Sequence, residues 1–405
     1  MAMKEASMPA AADLPIPMRA LLAGARRKQP AMLNFIRRLV RAESPSGDKD
    51  AVDACVALAA AHARGLGGRV KLHRQRGFGD VLEARFGPKS SEASEGKAAK
   101  EDRSVERRIL LLGHLDTVWP VGTLKAMPCC LAEGRLWGPG VLDMKAGVGM
   151  AFAAIEMLTE AGVLNREVVL LLTGDEEVGS PVSRPVIERL ASECAAVYVL
   201  EPAQGLACKT ARKGTGNWRI DVTGVAAHAG VDFEKGANAI HELARVVETM
   251  SCWTDLKRGL TVSVGLAGGG SKTNVIPAEA WAEVDVRIAR KADGERIARR
   301  FAALKPVDRR CGLTVTGGVN RPPMERTRST VRLYRQARTL AAELGFALEE
   351  ASTGGASDGN FTSALGIPTL DGMGAVGEGA HAGHESIVIE HLAPRTALLA
   401  GMLAQ

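Results

Sequence analysis

Apolar runs and amphipathic segments alternate along most of this chain. Segments that are apolar throughout, or apolar after one leading glutamate, lie at residues 109–112, 167–172 and 197–200. They are typical of strands that are buried on both faces. Between them, residues 147–161 and 186–193 place apolar side chains at helical spacing. Because strands and helices alternate, the pattern predicts an α/β fold with a mainly parallel sheet and helices on both faces.

The same criteria predict further elements on either side of this region. The predicted helices span residues 18–27, 32–40, 50–64, 237–250, 293–304, 330–344 and 391–403. The predicted strands span residues 70–73, 81–86, 218–223, 261–265, 280–288 and 346–350. From about residue 212 the strands alternate between apolar and polar positions, which favours a sheet with helices on one face only.

A chain of 405 residues is too long for one ordinary core. We predict a larger domain formed by residues 1–211 and 322–405, interrupted by a smaller α+β domain at residues 212–321. Residues 87–107 are rich in Lys, Ser, Glu, Gly and Ala and almost free of apolar side chains. We predict a mobile surface insertion there.

Charge and cysteine content narrow the range of partners and compartments. The formal net charge of +6 is scattered without interleaved aromatic residues, which disfavours a nucleic-acid partner and suits small acidic molecules. The seven cysteines include no C-x-x-C pair, which disfavours a disulfide framework and indicates a reducing compartment. The first thirty residues contain no continuous apolar segment of signal-peptide type, and no apolar run approaches membrane-spanning length. We therefore expect a cytoplasmic protein without a membrane partner.

Ionisable side chains follow each of the three buried strand candidates. His114 and Asp116 follow the first run, Asp175-Glu176-Glu177 follows the second, and Glu201 follows the third. Because the carboxyl ends of parallel strands share one rim of a sheet, we expect these groups to meet there. An imidazole with a carboxylate two residues further on is typical of a metal ligand and the group that orients it.

Two further positions complete a set of potential ligands, namely Asp143 after a Gly-Pro-Gly turn and His381 near the C-terminus. Oxygen and nitrogen donors without cysteine suit a catalytic zinc, cobalt or manganese ion. The set is too large for one open site, but it suffices for two metals that share a carboxylate, hold a bridging hydroxide and polarise a carbonyl group. Since Glu176 and Glu177 are adjacent, we expect one to be a ligand and the other a general base.

Six motifs, distributed from the first third of the chain to its C-terminal end, contain these residues. They are Gly113-His-Leu-Asp-Thr, Gly138-Pro-Gly-Val-Leu-Asp-Met-Lys-Ala-Gly, Thr173-Gly-Asp-Glu-Glu-Val-Gly-Ser, Leu200-Glu-Pro, Ala227-His-Ala-Gly and Gly377-Glu-Gly-Ala-His-Ala-Gly-His-Glu. Together they resemble the motifs of the dizinc metallohydrolases that include glutamate carboxypeptidases, acetylornithine deacetylases, succinyl-diaminopimelate desuccinylases and aminoacylases.

The resemblance implies two zinc ions per subunit, with cobalt or manganese as possible replacements. Asp143 would bridge the two ions, with a cis peptide bond after it. His114 and Glu201 would complete one ion, and Glu177 and His381 the other. For the last position His384 is a second candidate; we favour His381 because it follows Gly-Ala and precedes a glutamate by four residues, as in the family pattern.

The resemblance also implies the catalytic groups. Glu176 would be the general base and later the acid toward the leaving amine, and Asp116 would orient His114. His228 of the Ala-His-Ala-Gly loop would stabilise the oxyanion, reaching it from the partner subunit of a homodimer. The inserted domain would be the lid and dimerisation domain, and the larger domain would be the catalytic one.

Substrate recognition is implied at four further positions. Asn274 and Arg287 match family positions that bind polar groups of the substrate, and a carboxylate is the natural bidentate target of Arg287. Arg321 and the loop at Gly354 and Gly355 are additional candidates.

These expectations lead to a dinuclear zinc hydrolase that cleaves an amide or peptide bond next to a free carboxylate in a small acylated amino acid or peptide. A glutamate-carboxypeptidase-like enzyme is favoured by Gly113-His-Leu-Asp-Thr-Val-Trp-Pro and Leu200-Glu-Pro. An N-acyl-amino-acid deacylase of the acetylornithine deacetylase type is the alternative. A catalytically silent binding or dimerisation scaffold ranks lower, because every expected ligand and base position is filled.

Overall fold

The computed structural model of the chain describes residues 14–88 and 108–405. Most of the predicted mobile insertion at residues 87–107 therefore lies outside the described residues. No helix in the described ranges combines the length and apolar character that crossing a bilayer requires.

The helices and strands are numbered here in chain order. The helices are α1 (Met18–Arg41), α2 (Lys49–Gly65), α3 (Ala146–Glu160), α4 (Arg184–Ser192), α5 (Ala239–Ser251), α6 (Lys291–Ala302), α7 (Arg328–Glu343), α8 (Gly359–Ala364) and α9 (Leu392–Leu403). The strands are β1 (Arg69–His73), β2 (Val81–Phe86), β3 (Arg108–His114), β4 (Cys130–Ala132), β5 (Arg135–Trp137), β6 (Glu167–Thr173), β7 (Ala196–Val199), β8 (Cys208–Arg212), β9 (Gly214–Thr223), β10 (Thr261–Gly269), β11 (Glu279–Ile288), β12 (Gly312–Arg321), β13 (Glu350–Thr353), β14 (Thr369–Leu370), β15 (Gly377–Glu378) and β16 (Ser386–Val388).

The chain divides into two compact units. Unit 1 lies within Met1–Thr210, Arg326–Ala351 and Ser357–Gln405, and unit 2 comprises Ala211–Glu325 and Ser352–Ala356. The assignment of these units as a catalytic domain and an inserted lid domain stays a prediction.

A mixed sheet lies at the centre of unit 1. Among the described residues it has six strands in the order β1-β2-β6-β3-β7-β14. The neighbours β6, β3, β7 and β14 run parallel, whereas β1 and β2 add antiparallel pairs at one edge. The predicted α/β fold with a mainly parallel sheet is confirmed.

Alternate residues of β3 enter two separate hydrophobic cores. Ile109 and Leu111 pack in one cluster, while Leu110 and Leu112 pack in another together with Ile187 of α4. Since successive side chains of a strand point to opposite faces, both faces of the sheet are covered, as the unbroken apolar run predicted.

Register aligns the ends of the parallel strands. In the β3–β6 pair His114 lies opposite Thr173, and in the β3–β7 pair Leu112 lies opposite Val199. The segments after β3 and β6 therefore begin at the same level of the sheet, and the segment after β7 begins two residues before that level.

Unit 2 contains an antiparallel sheet whose four strands, within its described residues, have the order β10-β11-β9-β12. Trp218, Ile220 and Val222 of β9 pack in a core with residues of α5 and α6. Odd-numbered residues of β9 and β11 lie on the other face of the sheet, called here the open face because α5 and α6 do not cover it. The strand β12 was not predicted, because its glycines and half-exposed positions weaken the alternation.

Some predicted elements differ in extent from the observed ones, and three of them illustrate why. The predicted helices at 18–27 and 32–40 form the single helix α1, which contains Pro30. Apolar residues from both halves of α1 are buried in one core, and this packing outweighs the backbone hydrogen bond that proline removes. The predicted strand at 346–350 is shifted to β13, because Leu348 is buried in that same core instead of continuing an edge strand.

A glycine on α3 allows close approach to the end of β7. A Cβ atom built on Gly147 would lie 2.1 Å from the main-chain oxygen of Leu200. We expect Gly147→Ala to destabilise the protein by about 1–3 kcal/mol, because the backbone must shift to admit the methyl group. The matched control is Gly65→Ala on α2, where no atom lies within 4 Å of the added Cβ. Urea unfolding should give unchanged or slightly higher stability for the control, and equal stability of the two variants would contradict the packing argument.

Candidate metal centre

His114, the last residue of β3, is buried at the sheet rim. Its Nδ1 donates to the main-chain oxygen of Asp116 at 3.0 Å. Its Nε2 lies 3.1 Å from Asp143 Oδ1 and 3.5 Å from Glu201 Oε1. A ring whose Nδ1 is held by a main-chain oxygen presents Nε2 to a metal ion.

Asp143 lies in the turn Val141–Lys145, which leads into α3. Its backbone angles of φ −112° and ψ 93° depart from helical values, and the turn begins after Gly140, whose φ is 69°. The peptide bond between Asp143 and Met144 is cis, as the resemblance implied. This local geometry brings the Asp143 carboxylate to the end of β3.

His381 approaches the same carboxylate from the C-terminal part of unit 1. Its Nε2 lies 3.4 Å from Asp143 Oδ2 and 3.2 Å from Glu177 Oε2. Asp143 therefore contacts one histidine with each of its two oxygens. This is the arrangement expected of a carboxylate between two metal positions. His384, the second candidate, has no described contact with these carboxylates.

Asp116 also fixes the loop that carries the two adjacent glutamates. Its carboxylate accepts the main-chain N–H groups of Glu176 at 3.2 Å and Glu177 at 3.1 Å, and the hydroxyl of Ser46 at 2.7 Å. Asp116 Oδ1 lies 3.4 Å from His114 Nδ1, farther than the main-chain oxygen of the same residue. His114 Nδ1 thus lies closer to the main-chain oxygen of Asp116 than to its carboxylate.

Two overlapping groups of three side chains could each hold a metal ion. They are His114 with Asp143 and Glu177, and His114 with Glu176 and Glu201, and the ligand atoms within each group lie within 4.8 Å of one another. The donors are nitrogen and carboxylate oxygen, which suit zinc, cobalt or manganese. The residues therefore fit a metal centre. Glu176, the predicted base, belongs to the second group, together with the predicted ligands His114 and Glu201.

The histidines and carboxylates shift one another's pKa. Burial would lower the pKa of His114, but hydrogen bonds to Asp116, Asp143 and Glu201 raise it well above its usual value. Burial raises the pKa of Glu177, whereas the two neighbouring histidines hold the pKa of Asp143 below its usual range against the effect of burial. The two histidines thus favour the ionised form of Asp143.

The predicted residues of unit 2 form two groups within that unit. The first group contains His228 and Asn274. The exposed His228 accepts the N–H of Gly230 on Nδ1 at 3.1 Å. Ala229, which follows His228 in the chain, donates its N–H to the main-chain oxygen of Asn274 at 3.0 Å. The structure therefore brings the loops of His228 and Asn274 together.

Arg287 and Arg321 make up the second group. Both lie opposite Thr215 of the central strand β9, one on each neighbouring strand, so their side chains leave the same face of the sheet. Arg287 Nε lies 2.9 Å from Asp285 Oδ1. The exposed Gly355, by contrast, accepts a hydrogen bond from Arg212 Nη1 at 3.2 Å through its main-chain oxygen.

Sequence reasoning assigned no role to two buried charged residues near these ligands, Lys145 and Glu385. Lys145 is 1% exposed, and its Nζ has no hydrogen-bond partner among the described residues. Burial lowers the pKa of Lys145, and the nearby Glu385 and Asp116 partly oppose this. The carboxylate of Glu385 accepts main-chain hydrogen bonds of the Asp143 turn. Both residues lie within the quoted motifs, but the motifs do not indicate that they are buried.

The family match and the hydrolase relatives, together with the clustered nitrogen and oxygen ligands, identify a metal-dependent hydrolase. The chain belongs to peptidase family M20/M25/M40, whose model matches residues 110–405. Carboxypeptidase G2 of Pseudomonas sp. (strain RS-16) is 28% identical, covering 95% of this chain and 91% of that protein. A succinyl-diaminopimelate desuccinylase of Cereibacter sphaeroides (strain KD131) is 30% identical over 71% of this chain and 80% of its own length. The solved structure of aminopeptidase PepT from Bacillus cereus has the same fold, with a TM-score of 0.73, 21% identity, and coverage of 93% of this chain and 98% of that one.

The metal-free protein should keep His381 protonated far above neutral pH. Hydrogen bonds to Asp143 and Glu177 raise its pKa from the usual 6.5 to about 10. Because folding raises this pKa, the ion pairs stabilise the fold fully below about pH 6.5 and lose that contribution as pH rises through about 10.

An NMR titration of the His381 ring in metal-free protein checks this expectation. Glu177→Gln should lower the midpoint, because it removes one of the two anions. A wild-type midpoint near 6.5, or one that Glu177→Gln does not move, would show that the carboxylates do not hold the proton.

Proposed function

We propose that this chain is a dinuclear metal hydrolase that cleaves an amide or peptide bond next to a free carboxylate, with glutamate-carboxypeptidase-like activity. The observation that carries the proposal is the contact of Asp143 with two histidines through different oxygens. The likeness to carboxypeptidase G2 over nearly the whole chain supports the carboxypeptidase assignment.

Five side chains are proposed to hold the metals, which we take to be zinc, with cobalt or manganese as alternatives. Asp143 would be shared, His114 and Glu201 would hold one ion, and Glu177 and His381 the other. When bound, the ions would polarise the scissile carbonyl and acidify a water molecule. The 3.0 Å hydrogen bond from His114 Nδ1 to a main-chain oxygen supports its role, since it leaves Nε2 free to bind.

Glu176 is proposed to move the proton. Its carboxylate is buried at the rim of the sheet, and its main-chain N–H is fixed by Asp116. It would take a proton from the attacking water and deliver it to the nitrogen of the leaving amine. Asp116 accepts the main-chain N–H groups of both Glu176 and Glu177. It would thereby fix the backbone of the two residues, so that each side chain keeps its own position and its own role.

Unit 2 is proposed to recognise the substrate. Arg287 would bind the free carboxylate in a bidentate manner, and Asn274, Arg321 and the loop at Gly355 would contact other polar groups. His228 would donate to the oxyanion from the partner subunit of a homodimer formed through this unit. The exposure of His228 and its contact with the Asn274 loop support a binding role. We also propose a reducing, cytoplasmic location, supported by seven cysteines that are all free thiols.

An N-acyl-amino-acid deacylase is the second candidate. It is favoured by the desuccinylase relatives, which are named for removing a succinyl group from an amino acid. Both activities would use the same metal ligands and base, and they differ in which side of the amide carries the recognised group. A panel of glutamate-terminated peptides and N-acyl amino acids, measured by released amine, separates them.

The metal and base roles are tested by Glu176→Gln. We expect this variant to retain two metal ions per chain and to lose about 10²–10⁴-fold in kcat, because the amide cannot accept a proton. The contrasting variant is Glu201→Gln, which removes a proposed ligand and should lower the metal content itself. Metal analysis and released amine are the measurements, and chelation followed by zinc should abolish and restore wild-type activity. Loss of metal from Glu176→Gln would make Glu176 a ligand, and undiminished turnover would remove it from the base role.

Carboxylate recognition is tested by Arg287→Ala. We expect KM for a glutamate-terminated peptide to rise about 10- to 100-fold, because a charge-assisted bidentate contact is lost. The methyl ester of the same peptide should be nearly unaffected. The matched control is Arg219→Ala. Arg219 lies on the open face of the same sheet and pairs with Asp221 and Glu283. Equal effects on acid and ester, or equal effects of the two variants, would contradict the role of Arg287.

A further inference from the structure

Glu385 is a buried carboxylate that lies just before β16 and four residues after His381. Its side chain is enclosed, with the residue only 1% exposed. Its Oε1 accepts the N–H groups of Leu142 at 2.9 Å and Asp143 at 3.1 Å, and its Oε2 accepts the N–H of Gly140 at 2.8 Å and the indole Nε1–H of Trp119 at 2.8 Å. A carboxylate offers about four acceptor positions, so ionised Glu385 is saturated with donors.

The main-chain donors have few alternative partners. The backbone at Asp143 is not helical, so the turn that contains it does not use its own N–H groups as a regular helix would. Gly140 and Leu142 are buried, where an unpaired N–H group is costly. Glu385 therefore supplies the acceptors that allow this turn to keep its irregular shape.

The hydrogen bonds of Glu385 connect three segments that each carry a proposed ligand. Gly140 and Leu142 precede Asp143 in one segment, Trp119 lies five residues after His114 in another, and Glu385 itself follows His381. Because the aspartate side chain has only two rotatable bonds, the position of its backbone largely determines where its oxygens lie. One buried carboxylate thus controls the placement of the residue that contacts both histidines.

We propose that Glu385 is a positioning residue that fixes the Asp143 turn in its metal-binding shape and thereby sets the zinc affinity of the centre. The inference rests on the proposed function, since it requires Asp143 to be a ligand. Glu385 acts through hydrogen bonds to the backbone and to Trp119, and it needs no contact with metal or substrate.

Glu385→Gln is the direct test. The amide keeps the size of the side chain but presents an NH₂ group to two N–H donors, so two hydrogen bonds become repulsive contacts. We expect zinc affinity to fall about 10- to 100-fold, the range typical when a partner that orients a metal ligand is removed. The measurement is the apparent Kd for zinc of the metal-free full chain, obtained by competition with a chromophoric chelator, together with the melting temperature of the metal-free protein.

Glu242→Gln in unit 2 is the matched control. Glu242 is also fully buried, and it accepts the N–H groups of Val307 at 2.6 Å and Asp308 at 3.0 Å. The same chemical change there should lower the melting temperature without changing zinc affinity. If Glu385→Gln and Glu242→Gln lost melting temperature equally and both kept wild-type zinc affinity, Glu385 would be structural only and the inference would be overturned.

Trp119→Phe tests the same idea when Glu385→Gln does not fold. It removes the single indole donor and should weaken zinc binding in the same direction by a smaller factor, and unchanged affinity would overturn the inference. Wild-type protein that takes up no zinc would overturn the proposed function and this inference with it. Normal wild-type binding with unaffected variants would overturn the inference alone.

Discussion

Negative charge gathered at one rim of the unit 1 sheet is the constraint on which the rest of the site depends. The carboxylates that approach the two histidines belong to Asp143, Glu176, Glu177 and Glu201. Like charges this close are unstable unless cations or N–H donors offset them. In the metal-free protein the offset comes from the imidazoles, and the metal ions of the proposed function would displace their protons.

Carboxylates just outside the ligand set support the loops that hold it. Asp116 receives the N–H groups of Glu176 and Glu177, while Glu385 receives those around Asp143. Lys145 lies buried nearby, and these two carboxylates partly oppose the lowering of its pKa by burial. Each of these supporting carboxylates both holds a backbone segment and adds a negative charge near the ligands. Replacing one of them therefore changes the backbone conformation and the charge balance of the site together.

Much of the site was predictable because its residues follow buried strands. Apolar runs identified β3, β6 and β7, and the rule that parallel strand ends share a rim predicted that His114, Glu176 and Glu201 lie close together. What the sequence did not show was the support provided by Glu385, because its partners are mostly main-chain N–H groups that leave no side-chain pattern. The fold errors have a similar cause, since packing of both halves of α1 in one core overrode the local signal of Pro30.

The burial of β3 on both faces has a consequence for how its alignment is specified. A one-residue slip of this strand would exchange Leu110 and Leu111 between two equally apolar cores, so hydrophobic burial alone penalises the slip little. The polar ends penalise it instead. At one end Arg108 lies opposite Glu167 and donates to its carboxylate at 2.8 Å, and at the other end His114 must meet Asp143. The apolar middle of the strand thus stabilises its packing in more than one register, while the ionic contacts at its two ends determine which register the chain adopts.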